Sequence, residues 1–160
     1  MKASELASSA KPGELVDGAS EALYRQGKIH LKRKDNVQAE EVLKKAALEH
    51  DHPIAYHLLA QFQQPGSVNQ EVYLLKAAAS GVLEACLDLG KLYTAKWKTA
   101  TNKDENVALA KEWFEIAAAG GINESMLSLA EIYNYEGKKD KADEWIRKAE
   151  QDKLFSSFEK

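Results

Sequence analysis

Four times along the chain a small residue is followed five positions later by Gly or Ala, and three positions after that by an aromatic or polar residue. The instances are Ala22/Gly27/His30, Ala55/Ala60/Gln63, Ala85/Gly90/Tyr93 and Ser125/Ala130/Tyr133. Each is followed by a second recurring set: Ala39/Val42/Ala46/Ala47, Gln70/Tyr73/Ala77/Ala78, Ala110/Trp113/Ala117/Ala118 and Ala142/Trp145/Ala149. Repetition at this scale implies stacked helix pairs, because one pair alone cannot bury its apolar face. Where two helices approach most closely only Gly, Ala or Ser fits, and large side chains one turn away fill the flanking space. Trp113 and Trp145, three residues after Ala110 and Ala142, are expected to be such fillers. Gly27 and Gly90 each cost about 1 kcal/mol of helix propensity, which close packing must offset.

Helical spacing begins near Glu14, with Leu15, Ala19, Ala22, Leu23 and Gly27 on one face. The run Lys32-Arg33-Lys34 complements the negative end of the helix dipole, and Asp35 or Asn36 caps a helix from Val37 to about Glu49. Pro53 sits where a helix starts, and Gln64-Pro65-Gly66 stops it. Ser67 with Gln70 forms a capping-box pattern opening a helix to Ser80, and Gly81 follows at a left-handed stop. Further helices are expected over about 83–93, 107–119, 123–135 and 139–151. Residues 94–106 are expected to form an enlarged loop. No useful stretch alternates as a half-buried strand does. The expected fold is all-α: an α/α superhelix of about four antiparallel helix pairs, right-handed, with a C-terminal capping helix. Residues 1–13 read as a flexible arm, and 14–160 as a single domain. Its repeats fall at about 20–51, 52–81, 82–121 and 122–151, with a cap over 152–160.

The segment from Ala85 to Gly121 resembles the Sel-one-like repeat, a relative of the tetratricopeptide repeat. It carries Ala85, Leu89-Gly90 and Leu92-Tyr93, then Ala110, Trp113, Ala117-Ala118 and Gly121. The next unit gives Ser125, Leu129-Ala130, Ile132-Tyr133, Lys141-Ala142, Trp145 and Lys148-Ala149. The second keeps Ala55, Leu59-Ala60, Lys76-Ala77-Ala78 and Gly81; the first keeps Ala22, Gln26-Gly27 and Lys45-Ala46-Ala47. Successive units start 33, 30 and 40 residues apart, at Ala22, Ala55, Ala85 and Ser125, so the array is uneven. The resemblance implies mediation of protein complexes, often in bacterial signalling, secretion and envelope-related pathways.

In stacked helix pairs the first helices line a concave groove. The outward stripe then collects Tyr24, Lys28 and Leu31; His57, Gln61 and Gln64; Leu87, Lys91 and Thr94; Leu127, Glu131 and Asn134. Arg25, Lys32, Asp88 and Tyr135 lie beside it. Mixed aromatic, amide and charged groups on a rigid groove suit an extended peptide or a partner helix, while the alternative is a solvated helix face. On the expected loop, Trp97 stands among Lys96, Lys98 and Lys103. It either anchors a partner by stacking and cation–π contact or folds back onto neighbouring helix ends. His50, His52 and His57 resemble a zinc cluster only in spacing, with no cysteine nearby and no fourth ligand fixed; helix capping and surface roles are the competing reading. The basic run Lys28–Lys34 has no counterpart in later units and reads as a solvated helix end rather than a nucleic-acid stripe. Leu154, Phe155 and Phe158 either fold back as a cap or form an apolar patch for homo-dimerisation or docking.

The 160 residues carry a net charge of −3, which provides no global basic field for nucleic acid or anionic lipid. No run reaches membrane-spanning length, and the one cysteine, Cys86, fits a reducing compartment. With Met1 as the natural start, the protein is expected in the cytoplasm. No phosphate loop, H-E-x-x-H or locally activated nucleophile is present, so no catalytic residue, cofactor or metal is expected. The expected function is a non-enzymatic protein–protein interaction module, a scaffold, adaptor or inhibitor that grips a protein or peptide. The alternatives are an immunity-type protein neutralising a dedicated enzyme, and a metal- or nucleic-acid-binding regulator.

Overall fold

A computed structural model describes residues 17–99 and 101–158. The expected arm over 1–13 and the start of the first helix lie outside the described residues. The protein is all-α. Its helices are α1 (Gly18–Lys32), α2 (Asn36–Lys44), α3 (Pro53–Ala60), α4 (Val68–Ala79), α5 (Leu83–Thr99), α6 (Lys103–Ala119), α7 (Asn123–Tyr135) and α8 (Lys139–Phe158). A π-helical turn, Lys45–Glu49, continues α2. The chain divides after Ala85, in the first turn of α5, into two compact units.

In the N-terminal unit four helix starts are capped alike. Asp17, Asp35, His52 and Ser67 each accept, through the side chain, the N–H of the residue three positions on. Each cap satisfies one of the donors a helix leaves without an intrahelical partner. Gln70 completes the last of them by accepting the N–H of Gly66 at 2.8 Å, one residue before the cap. Here α1 packs on α2, α2 and its π turn on α3, and α3 on α4. In the C-terminal unit Phe114 of α6 packs against Gly90 of α5, and α7 packs on both α6 and α8. Within each unit the short connections make consecutive helices antiparallel neighbours.

Helix ends also share one device. Lys34, Asp51, Gly81, Gly121 and Gly137 all have positive φ, between 50° and 91°. At each, the next residue's N–H reaches back to a carbonyl of the last helical turn: Asp35 to His30, His52 to Ala46, Val82 to Ala77, Ile122 to Ala117 and Lys138 to Tyr133. This left-handed stop satisfies orphan carbonyls and turns the chain sharply. Four residues separate Ala77 from Gly81 and Ala117 from Gly121, but five separate Ala46 from Asp51. The π turn at 45–49 takes up that extra residue by widening one turn.

Lys34 is exposed, and as a non-glycine residue in this conformation it carries a steric cost that glycine lacks. Lys34→Gly is expected to raise stability by about 1 kcal/mol. Gly121→Ala is expected to lower it by a similar amount, roughly 1 kcal/mol, since φ is +91° and no neighbour crowds the site. Urea unfolding midpoints of the two variants should therefore move in opposite directions.

The recurring small residues are mostly where the packing reading puts them. Ala55, Ala60, Ala85, Ser125 and Ala130 are buried, as are Ala39, Ala46, Ala47, Ala77, Ala78, Ala110, Ala117, Ala118, Ala142 and Ala149. The hydroxyl of Ser125 finds no partner among the described residues, so this position selects for size rather than hydrogen bonding. Three expectations are corrected. Ala22 is exposed, because no described helix precedes α1 to cover the face that α2 and the π turn cover in α3. Trp145 is half-buried under Lys148, 4.4 Å from its ring centre, whereas Trp113 is 2% exposed. The reason is position: α8 follows α7 and has no later described helix against its other side. Leu87, expected on the outward stripe, is buried.

Two segments differ more. Helix α5 does not end near Tyr93 but runs to Thr99, so most of the expected loop is helix. Residues 94–99 contain no Gly or Pro to stop it, and the hydroxyls of Thr94 and Thr99 bond back to the carbonyls of Gly90 and Ala95 within it. The C-terminal residues do not fold back as a separate cap. They prolong α8 without a break to Phe158, leaving Leu154 and Phe155 exposed. The side chain of Phe158 lies outside the described residues.

Candidate functional site

In the C-terminal unit two helix faces meet across a cleft of about 480 Å³. From α5 come Lys91, Thr94, Ala95 and Lys98, the i, i+3, i+4, i+7 set of a single face, together with Trp97. From α7 come Ser128, Glu131 and Ile132 in the same spacing. Phe114 of α6, itself buried, contributes from beneath. Gly90 admits the Phe114 ring to this place, since a Cβ at position 90 would fall on it. At one end Trp97 meets Tyr135 edge-on with ring centres 4.6 Å apart, and Tyr135 is 64% exposed. Lys91 also pairs with Glu124 at 2.7 Å, tying α5 to α7.

Five of the residues expected in a binding groove or on its anchor thus gather here: Lys91, Thr94, Trp97, Glu131 and Tyr135. Trp97 stands on a helix rather than a loop, and its half-buried ring packs on Tyr135 while keeping an edge toward the cleft. Asp88 and Asn134 lie on the same helices but do not line it. Ala95, Lys98, Phe114, Ser128 and Ile132 escaped the sequence reading. Carrying α5 one and a half turns further would have revealed the first two by helical spacing alone.

In the N-terminal unit the expected groove residues have other occupations. Tyr24 stacks on the His52 ring at 4.6 Å, and the Lys28 ammonium lies 5.3 Å from the Tyr24 ring centre. Lys28 also borders a shallow hollow of about 210 Å³ on α1, with Arg25, Ile29 and Lys32. His57 is half-buried on α3, and Gln61 is exposed at its C-cap. The histidines separate. His50 Nδ1 faces Asp17 at 3.3 Å, while buried His52 accepts from the Ala55 N–H through Nδ1 and faces Glu21 with Nε2 at 3.4 Å. While Nδ1 accepts, the ring proton sits on Nε2, where it donates to Glu21. His52 is thus a helix cap tied to α1. Among the described residues no three His, Cys, Asp or Glu side chains are placed to share a metal ion.

Electrostatics mark the helix junctions rather than the cleft. Arg25 first, then His52, holds the Glu21 carboxyl below its usual range. Lys111 at 2.8 Å and Lys138 at 2.7 Å do the same for Glu136, bracing α6 against the end of α7. Burial, then a hydrogen bond to Asp51, raises the Tyr56 phenol to about 12; burial and the Glu115 carboxylate raise Tyr133 to about 12. Both phenols are buried, with O–H donated at 3.0 and 3.1 Å.

A raised phenol value means that the folded state holds its proton longer than the unfolded chain, where tyrosine ionises near 10. This contribution is complete below pH 10 and is lost as pH rises from 10 through about 12. Unfolding midpoints should therefore fall over that window. Tyr56→Phe and Tyr133→Phe should each flatten the fall, which separates the phenols from lysines titrating nearby. An unchanged slope in both variants would assign the alkaline loss to the lysines instead.

Among the described residues no helix is long and apolar enough to cross a membrane. No family model matches the chain, and a search of curated proteins finds no match to it.

Proposed function

We propose that the chain is a non-enzymatic protein-binding module, a scaffold, adaptor or inhibitor, built as a Sel-one-like repeat array. Its binding site is the cleft between α5 and α7. One observation carries this reading: Lys91 and Glu131, selected from the repeat register as groove residues, line a single cleft with Trp97, expected as a loop anchor, and Tyr135 packs against Trp97. An aromatic and aliphatic centre ringed by cations and a carboxylate is the composition of a small interaction surface. The apolar centre supplies affinity, and the charged rim sets register. Two parallel ridges of helical side chains suit an apolar anchor carried on a helix or extended segment. Cys86, a buried free thiol, fits a reducing compartment such as the cytoplasm.

Affinity capture from the source cell tests the reading. Trp97→Ala and Lys91→Glu should each weaken partner retention by tenfold or more, on the order of one lost hot spot. Val68→Ser, at an exposed residue of the N-terminal unit, should leave retention unchanged. Equal capture by all three proteins would remove the cleft from the account.

A further inference from the structure

We propose that the cleft between α5 and α7 receives the C-terminal end of α8 from a second copy of the chain, with Phe155 as the anchor; this rests on reading that cleft as a protein-binding site. The end of α8 stands clear of its own partner helix. Asn123, the first residue of α7, donates to the carbonyl of Ala149 at 2.6 Å, so α8 residues beyond 149 run past the end of α7. That overhang, residues 150–158, is roughly 13 Å of helix at about 1.5 Å per residue. It stays helical with its Ser156 and Ser157 hydroxyls bonded back to the Asp152 and Leu154 carbonyls. On it Leu154 is 60% and Phe155 73% exposed, adjacent large apolar groups with nothing described against them.

Charge favours this occupant. Lys98 on the cleft rim makes no ion pair among the described residues, and neither does Asp152 just before the apolar pair on the tail. Asp152 stands one helical turn before Phe155, on the same face, and meets Lys98 when Phe155 enters beside Trp97. The same molecule cannot supply its own plug. The tail leaves past the Asn123 end of α7, whereas Trp97 and Tyr135 mark the cleft at the other end of that helix. Every copy carries both plug and socket, so a reciprocal exchange closes a two-fold dimer without leaving either unfilled.

Sedimentation velocity of the full chain tests this. The wild type should dimerise, and Phe155→Ser or Trp97→Ala should each raise the dimer dissociation constant at least about tenfold, the effect of one lost buried anchor. Lys98→Glu should weaken the dimer, and adding Asp152→Lys to it should restore association. That charge-swap rescue does not depend on the fate of the Trp97 variant. A wild type still monomeric at on the order of 100 µM overturns the inference, as does a dimer indifferent to Phe155 and Lys98. A monomer whose cleft variants still lose a captured partner overturns it while leaving the cleft as a binding site.

Discussion

Trp113→Ala is expected to destabilise the C-terminal unit by about 3–5 kcal/mol, the range for deleting a fully buried aromatic side chain. Trp113 is the largest of the fully enclosed side chains, and α6, which carries it, packs against both α5 and α7. With neighbours on both sides, the helices cannot close around the space it leaves. Trp145 stands at the same repeat position but is half-buried, so Trp145→Ala should cost clearly less, about 1–2 kcal/mol. Urea unfolding followed by far-ultraviolet circular dichroism measures both without relying on the tryptophans themselves. Equal losses in the two variants would mean that the repeat position, and not the cover each helix receives, sets the energy.

The second large effect lies where α1 meets α2. Leu43 is fully buried, and a Cβ built on Gly27 would sit 2.6 Å from its Cδ2. Leu43→Ala should cost about 2–5 kcal/mol through lost burial and the cavity left behind. Gly27→Ala should also destabilise: overpacking costs about 1–3 kcal/mol, against which helix propensity returns about 1 kcal/mol. The informative measurement is the double variant. The new methyl enters the space that Leu43 vacates, so the two losses should fall short of their sum by on the order of 0.5–3 kcal/mol. Additive losses would show that Gly27 does not owe its smallness to Leu43.

The same two glycines explain how a binding site arises from packing residues. Gly27 admits Leu43 and stays inside the fold. Gly90 admits the Phe114 ring, which becomes part of the cleft between α5 and α7. Glu131 and Lys91 were legible beforehand because helical spacing from a buried small residue fixes which side chains point outward. Trp97 was legible as a residue but not as a place. Its helix has no stop before Thr99, and a reading that ended α5 at Tyr93 put it on a loop.

What the sequence determined by itself is local and periodic: the all-helical fold, the caps at Asp35 and Ser67, proline at the start of α3, and the left-handed stop at Gly81. These follow from short-range hydrogen bonding and backbone sterics, which a few neighbouring residues settle. Tertiary structure alone decided which copies of a repeated residue are covered. Ala22 and Ala55 share a register, as do Trp113 and Trp145, yet only one of each pair is buried. It also turned His52 into a cap stacked on Tyr24, and it assembled the cleft from residues up to 41 positions apart, Lys91 to Ile132. Burial depends on what lies on both sides of a helix. A repeat specifies each helix's own face but not whether a neighbour stands against it.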